Sequence, residues 1–269
     1  MTIPFVKAHG AGNDFLLTSL SQVTDQAPET DLPSIARAFC DRHTGIGADG
    51  WILIHDHSIR LFNADGSEPE ISGNGTRCVA ALLVDMGQAV DQVTIQTGAG
   101  PKHLRLLRRD GRRFWFEMNM GSPVFDEREI RCHIPLKTGA QEVTILDVGN
   151  PQCVVFVEKF PENWEALGAE IEGHPRFPKR TNVSFVRALD AHTIETRFYE
   201  RGAGVTLSSG TGSTGAGVAA ILRKVVSSPV TIQTPAGESL QLRWDDSVYL
   251  TGPAEIIGAG EFYLPSRDR

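Results

Sequence analysis

The stretch Phe62–Met86, FNADGSEPEISGNGTRCVAALLVDM, contains the pattern from which the fold can be predicted. A polar turn at Asn63–Ser67 leads to the run Ser72–Gly75, which passes directly into the apolar helical pattern Val79–Val84. A glycine-rich turn before a helix leaves the first backbone N–H groups without intrahelical partners. These groups, together with the positive end of the helix dipole, bind anions. The stretch therefore predicts an anion-binding turn, with Ser72 at its edge where a reacting side chain can face a bound carboxylate.

The same design occurs a second time, far along the chain. The strand pattern Arg197–Tyr199 and the polar turn Glu200–Gly204 precede Ser208–Ser213, which leads into the apolar run Gly217–Leu222. Both copies place a Ser-Gly-X-Gly turn before a Val-Ala-Ala-apolar-Leu helix. Because the flanks match as well as the turns, the repeat predicts two similar halves that face each other.

The duplication extends beyond the two helices. Val93–Gly100 reads VTIQTGAG and Val230–Gly237 reads VTIQTPAG. Strand patterns surround one main helix in each copy, so the predicted fold class is α/β of the α+β type. It has two pseudo-symmetric halves, 1–118 and 119–252, each a mixed, largely antiparallel sheet wrapped on a central helix. A cleft between such halves, with two helix N-termini pointing in, is the predicted ligand site.

Composition limits the classes of function. Of the 269 residues, 41% are hydrophobic and 22% are charged, which is typical of soluble globular proteins. The net charge of −7 argues against nucleic-acid binding, and no apolar run is long enough to cross a membrane. The four cysteines form no CxxC pair and no metal-ligand spacing, and the N-terminus lacks a secretory pattern. We therefore expect a cytoplasmic protein with reduced thiols and no metal.

Taken in order, the motifs of the chain resemble those of the diaminopimelate epimerase family, and the resemblance covers nearly the whole sequence. It implies a cofactor-free enzyme that interconverts LL- and meso-diaminopimelate, a small amino-acid substrate, for lysine and cell-wall synthesis. It also implies a homodimer, and a C-terminal tail of about 253–269 that returns to the first half. The motifs that carry the resemblance are His9–Phe15, Gly45–Gly50, Phe62–Ser67, Gly73–Cys78, Gly149–Pro151, Arg180–Val183 and Glu200–Gly204.

The resemblance also implies roles for individual residues. The predicted catalytic residues are Ser72, Ser209 and Glu200. Backbone N–H groups at the two helix starts would stabilise charge on the α-carboxylate, and these belong to Gly73, Asn74, Gly210 and Thr211. The distal carboxylate would be held by Asn63, Asn182 and Arg201, whose guanidinium suits a carboxylate. Asn13, Asn150 and Glu200 would hold the amino group or orient the reacting centre.

The chain departs from the family at the most sensitive positions. Ser72 and Ser209 stand where the family has its two acid/base cysteines, and Gln152 stands where it has a histidine. A free thiol has a pKa near ~8.5 that a helix N-terminus can lower, whereas a serine hydroxyl is a far weaker acid. Serine acts as a base only when another group takes its proton, and Glu200 is the nearby candidate.

Three functions therefore remain open at the level of sequence. The first is an amino-acid epimerase acting on diaminopimelate by another proton route. The second is a paralogous isomerase or dehydratase with one-sided proton chemistry on another amino acid. The third is a non-catalytic amino-acid binding protein.

Overall fold

A computed structural model describes residues 2–24 and 31–264. The chain divides into two compact units, one formed by Met1–Phe116 with Pro253–Arg269 and the other by Glu117–Gly252. Each unit is dominated by a sheet that contains both parallel and antiparallel pairs, and few helices accompany it. The predicted mixed α+β class is confirmed.

Within its described residues, the first unit contains strands β1 to β6, the start of β7, the part of the last strand from Pro253 onward, and three α-helices. Strand β1 pairs antiparallel with β2, β2 parallel with β3, β3 antiparallel with β4, β4 parallel with β5, and β5 antiparallel with β6. The elements are β1 Thr2–Gly10, β2 Asn13–Ser19, α1 Ser21–Thr24, α2 Leu32–Cys40, β3 Gly50–His55, β4 Ser58–Asn63, α3 Gly73–Asp85, β5 Gln92–Thr97, β6 Gly100–Asp110 and β7 Arg113–Gly121.

The second unit repeats this order of pairings. Strand β10 pairs antiparallel with β11, β11 parallel with β12, β12 antiparallel with β13, β13 parallel with β15, and β15 antiparallel with β16. The predicted pseudo-symmetry of the two halves is therefore confirmed. The elements are β8 Val124–Phe125, a 3-10 turn Glu127–Glu129, β9 Cys132–Leu136, β10 Gly139–Asp147, β11 Pro151–Phe156, α4 Trp164–Glu172, β12 Asn182–Asp190, β13 Thr193–Glu200, β14 Gly204–Thr206, α5 Gly210–Leu222, β15 Val230–Gln233, β16 Ser239–Trp244 and β17 Val248–Tyr263.

The central helix of each unit packs closely against its own sheet. Helices α3 and α5 each have 13 residues, and most of those residues are buried. Glycine makes the close approach possible, because a Cβ on Gly75 would lie 2.7 Å from Ile52 Cδ1, and one on Gly217 would lie 2.8 Å from Leu242 Cδ1. The small residues that mark both helices in the sequence are thus required by packing.

One strand is much longer than its sequence pattern predicts. The pattern indicates a strand only at Val248–Leu250, but β17 continues to Tyr263 and pairs with β1, so that Thr2 lies opposite Tyr263. The added segment contains Pro253, three glycines and no clean apolar alternation, and glycine and proline are depleted in strands. Its pairing with β1 comes from tertiary contacts, which local propensity does not report.

Candidate active site

Both predicted anion-binding turns form with the same local geometry. Ser72 is the N-cap of α3 at φ −128° and ψ 120°, and its Oγ accepts a hydrogen bond from the Gly75 N–H at 3.1 Å. Ser209 is the N-cap of α5 at φ −138° and ψ 122°, and its Oγ accepts from the Gly212 N–H at 3.0 Å. The hydroxyl of each serine therefore satisfies one of the donors at its helix start.

The residues predicted to hold a carboxylate through their backbone lie at the first helical positions. Gly73 and Asn74 are the first two residues of α3, and Gly210 and Thr211 are the first two of α5. N–H groups at these positions have no acceptor within the helix, and the helix dipole adds positive potential there. Each helix start is consequently suited to an anion.

Ser209 is hydrogen-bonded to a carboxylate. Its Oγ donates to Glu200 Oε2 at 2.7 Å, while the hydroxyl of Thr206 donates to Glu200 Oε1 at 2.7 Å. Glu200 is the last residue of β13, and β14 pairs with β13 so that the Thr206 hydroxyl comes within reach. Because Ser209 also accepts from the helix, its proton points toward Glu200. This arrangement can pass a proton from a substrate to a carboxylate.

Ser72 has a different environment. Asn63 ends β4 as Glu200 ends β13, so it occupies the position that corresponds to the carboxylate. Its amide donates to Ser67 Oγ at 3.0 Å within its own turn, where the hydroxyl of Ser67 also donates to Asp65 at 2.6 Å. Within residues 2–24 and 31–264, no carboxylate hydrogen-bonds to Ser72. The two serines are alike as helix caps but unlike as acid/base groups.

Gln152 supports a neighbouring asparagine. Its side chain is fully buried, and its Nε2 donates to Asn150 Oδ1 at 2.6 Å. Asn150 in turn donates from Nδ2 to the Thr211 hydroxyl at 3.2 Å, at the start of α5. Gln152 therefore orients Asn150, and its own amide is shielded from solvent.

Asn13 belongs to a polar cluster at the end of β1 and the start of β2. Its Nδ2 donates to Asp49 Oδ2 at 2.6 Å, and its Oδ1 accepts from Asn74 at 3.3 Å. Arg42 bridges Asp14 and Asp49 at 2.7 Å each, and Lys7 lies 3.2 Å from Asp14. Burial raises the pKa of Asp14, but hydrogen bonds from Arg42 and Lys7 outweigh that effect and hold its pKa below the usual value of 3.8.

The second unit brings Asn182 and Arg201 together. Asn182 is 5% exposed, and its Oδ1 accepts from the backbone N–H of Arg201 at 3.0 Å while its Nδ2 donates to Pro151 O at 3.2 Å. The buried carboxylate of Glu172 accepts from the Gly202 N–H at 3.3 Å and pairs with Arg180 at 2.5 Å. The turn that carries the Arg201 guanidinium is therefore fixed through its backbone.

Some residues of these clusters were not singled out in the sequence analysis. They are Arg42, Asp49, Glu172 and Thr206. Asp49 lies in the motif Gly45–Gly50, which gave a signal as a whole, but the remaining three become visible only through tertiary contacts.

Among the described residues, no group of three or more His, Cys, Asp or Glu side chains is arranged to hold a metal ion. None of the helices that the structure describes is long and apolar enough to cross a membrane.

Comparison with known proteins fixes the family. The family model for diaminopimelate epimerase matches residues 5–125 and 144–257. A diaminopimelate epimerase of Pelotomaculum thermopropionicum is 39% identical over 277 residues, which cover 96% of this chain and 98% of that protein. One of Moorella thermoacetica is also 39% identical, over 97% of this chain and 99% of its own length.

The chain belongs to the diaminopimelate epimerase family. The resemblance inferred from the motifs is thus confirmed.

Solved structures share the fold of this diaminopimelate epimerase family member at low identity. A hydroxyproline epimerase from Agrobacterium vitis has a TM-score of 0.74 at 16% identity, covering 99% of this chain and 94% of that one. A PhzF-family phenazine biosynthesis protein of Bacillus anthracis has a TM-score of 0.67 at 15% identity, over 98% of this chain and 100% of its own. A methylitaconate-delta-isomerase has a TM-score of 0.65 at 16% identity, over 97% and 95% of the two chains. These likenesses show the fold alone.

Proposed function

We propose that the chain is a cofactor-independent amino-acid epimerase that interconverts LL- and meso-diaminopimelate. The observation that carries this proposal is the matching geometry of two serine-capped helix starts in a member of the diaminopimelate epimerase family. Inversion of an α-carbon needs a proton-transfer group on each face and stabilisation of the charge that develops on the carboxylate. Two equivalent anion-binding turns, each with its own hydroxyl, supply these elements if one substrate contacts both.

On one face, the proton would pass through Ser209 to Glu200. The Ser209 hydroxyl donates to Glu200 at 2.7 Å, so transfer of its proton to the carboxylate needs no rearrangement. As Ser209 gives its proton to Glu200 it takes the α-proton of the substrate, and the net result is a protonated Glu200 and a substrate carbanion. Thr206 holds the other oxygen of Glu200 and so fixes the orientation of the carboxylate.

On the other face, Ser72 would return a proton. Its oxygen already accepts from the Gly75 N–H, so the hydroxyl hydrogen is available for donation. Ser72 is half-buried whereas Ser209 is 3% exposed, and solvent can therefore replace the proton that Ser72 gives. The two faces would differ in their proton source, with an internal carboxylate on one and water on the other.

The remaining site residues would bind the ends of the substrate. Asn63, Asn182 and Arg201 would hold the distal carboxylate, with the guanidinium of Arg201 as the charged partner. Asn13 and Asn150 would bind the amino group or the reacting centre. The hydrogen bond from the Arg201 backbone to Asn182, at 3.0 Å, supports the joint action of these two residues.

The direct test is conversion of purified LL-diaminopimelate to the meso form, followed by chiral chromatography. We expect wild type to convert it, and Glu200→Gln to lose at least about 100-fold in rate, the scale of a lost general base. Glu158→Gln changes an exposed glutamate in the same unit and should leave the rate unchanged. Absence of conversion by the folded wild-type protein would overturn the proposal.

A second candidate function is favoured by the unequal surroundings of the two serines. Of the two cap serines, only Ser209 hydrogen-bonds to a carboxylate of the described residues. An isomerase or dehydratase that removes a proton from one face is therefore also consistent with the site. Such an enzyme would exchange the α-proton of its substrate without inverting the centre. Exchange of the α-proton with no stereochemical change would therefore favour it over the epimerase.

We further propose that the protein acts in the cytoplasm, in lysine and peptidoglycan synthesis, as a homodimer. The reduced state of the four cysteines supports the compartment, and family membership supports the role and the dimer. Light scattering coupled to gel filtration tests the dimer, with a mass of about twice the 29.3 kDa of one chain as the expected result. A mass equal to one chain would contradict it.

A further inference from the structure

We infer that Arg77 is a positioning residue, which orients Asn74 and Asn13 through hydrogen bonds and makes the start of α3 more positive than the start of α5. Its relevance to a substrate carboxylate rests on the proposed function, but the charge effect itself does not. Arg77 lies at the fifth position of α3 and is fully buried, and no role in the mechanism above has been given to it.

The contacts of Arg77 are with neutral oxygens. Its Nη2 donates to Asn74 Oδ1, and its Nε donates to the backbone oxygen of Pro253 at 3.3 Å. Its Nη1 is buried and has no hydrogen-bond partner among the residues that the structure describes. Burial lowers the pKa of the guanidinium to about 10, so it still carries its charge at neutral pH. A buried cation without an acidic partner is costly, and one that is retained calls for a compensating negative charge.

Four side chains, beginning at Arg77, form a series of hydrogen bonds in which each side chain donates to the next. Arg77 donates to Asn74, Asn74 donates to Asn13 at 3.3 Å, and Asn13 donates to Asp49 at 2.6 Å. A guanidinium can only donate and an ionised carboxylate can only accept, so both ends of the series impose the same orientation on the two amides. Neither asparagine can rotate its amide by half a turn without placing two donors or two acceptors together.

The charges around this series of hydrogen bonds do not balance. Asp14 and Asp49 are already paired with Arg42, and Asp14 also with Lys7. With Arg77 the group holds three cations and two carboxylates, which leaves one positive charge in excess. Glu255, two residues from Pro253, already pairs with His9 and Arg113. A bound carboxylate at the start of α3 would supply the missing negative charge.

In the part of the chain that the structure describes, the position of α5 that corresponds to Arg77 holds no cation. Thr214 occupies the position that corresponds to Arg77, counted from the N-cap serine, and its hydroxyl donates to Gly210 O at 2.8 Å within the helix. The charged group near the cap of α5 is instead the carboxylate of Glu200, 2.7 Å from Ser209. The two helix starts thus share their backbone geometry and differ in the charged side chain beside them, a buried guanidinium at α3 and a partly buried carboxylate at α5.

A thiol introduced at each cap reports this difference directly. The pKa of a cap thiol is measured from the pH dependence of alkylation by iodoacetamide, in Ser72→Cys and in Ser209→Cys/Glu200→Gln, which lacks the carboxylate. The four native cysteines should react little with iodoacetamide at the pH values used. Burial raises the pKa of Cys40 and Cys78 to about 12 and that of Cys132 to about 11, and it raises that of Cys153 as well. We expect the thiol at position 72 to have the lower pKa, by about one unit.

Variants of Arg77 then separate charge from structure. In the Ser72→Cys background, Arg77→Met should raise the thiol pKa by about one unit, whereas Arg77→Lys should leave it nearly unchanged. A merely structural role would give the lysine and methionine variants the same thiol pKa. Equal values, or no shift in a folded Arg77→Met variant, would overturn the inference.

If circular dichroism shows that Arg77→Met does not fold, the thiol pKa values at the two caps still test the inference. A thiol pKa at position 72 no lower than that at position 209 would then reject the role of Arg77. None of these measurements uses a substrate, so their outcome is independent of whether diaminopimelate is converted.

Discussion

At the scale of single residues, the two predicted acid/base serines share their backbone geometry and differ in their side-chain partners. Ser72 and Ser209 cap their helices in the same way, but only Ser209 donates to a carboxylate among the described residues. The positions of the serines could be predicted from sequence because the Ser-Gly-X-Gly turn is local. The bond between Thr206 and Glu200 could not, because it depends on how β14 pairs with β13.

Arg201 offers a test of substrate binding at this scale. Arg201→Ala should weaken diaminopimelate binding by about 1.5–3 kcal/mol, the scale of a hydrogen bond to a charged group. The turn should survive, because its contact with Asn182 uses the backbone N–H of residue 201. Isothermal titration calorimetry measures the loss, and Arg108→Ala on the arginine-rich strand β6 is the control. Unchanged affinity would mean that the distal carboxylate binds elsewhere.

Gly215 offers a test of packing around Gln152. A Cβ at position 215 would lie 2.8 Å from Gln152 Cγ and 3.0 Å from Gln152 Cβ, and the glutamine is fully buried. Overpacking costs about 1–3 kcal/mol, while replacing glycine by alanine in a helix gains about 1 kcal/mol. We expect Gly215→Ala to lower the free energy of unfolding by up to about 2 kcal/mol, measured by urea unfolding.

Two further variants control this packing test. Gly258→Ala should be nearly neutral, because no atom lies within 4 Å of its added Cβ. Adding Gln152→Ser to Gly215→Ala should recover part of the loss. Recovery would not occur if the destabilisation came from the helix itself.

At the scale of elements, the helices were predicted well and the strands less completely. The two glycine turns predict α3 and α5. The sequence also predicts a helix over Asp31–Asp41 with Asp31 as its N-cap, and α2 begins at Leu32, although Asp31 makes no side-chain cap hydrogen bond. The strands β8, β9 and β14 were not predicted, and β17 was predicted too short. Short or glycine-containing strands form through pairing with neighbours, and single-sequence patterns carry little of that information.

The junction of β1 and β2 should make stability depend on pH in acid. The pKa of Asp14 is lowered in the folded protein, so its contribution is complete above the unfolded value of 3.8 and is lost as the pH falls below it. Asp14→Asn should therefore cost stability at pH 7, by about 1.5–3 kcal/mol, and less at pH 3. Urea unfolding at the two pH values measures this, with the exposed Asp56→Asn as control. An equal loss at both pH values would contradict it.

At the scale of the whole molecule, the duplication seen in the sequence is a duplication of strand pairings. The two units repeat the same succession of parallel and antiparallel pairs around one central helix each. The class of fold could be predicted because the turns, the helices and the VTIQT strands have similar sequences in both copies. The direction of each strand pair could not, because pairing direction depends on connections that leave no local signature.

The duplication predicts a gain of activity when both caps receive thiols. Ser72→Cys with Ser209→Cys should raise epimerisation of diaminopimelate well above wild type, because a helix N-terminus lowers a thiol pKa into a useful range. Either single change should help much less, since inversion needs a competent group on each face. Chiral chromatography of the four proteins side by side measures this. A folded double variant that binds diaminopimelate without any gain would show that these positions do not face the reacting carbon.

The most direct test of the central claim is α-proton exchange by wild-type protein with LL-diaminopimelate in deuterated water, followed by NMR and chiral chromatography. We expect deuterium to enter the α-position, meso-diaminopimelate to accumulate with deuterium at the inverted centre, and Glu200→Gln to abolish both. Folded wild-type protein that binds diaminopimelate and leaves its α-proton unexchanged would contradict its proposed role as an epimerase.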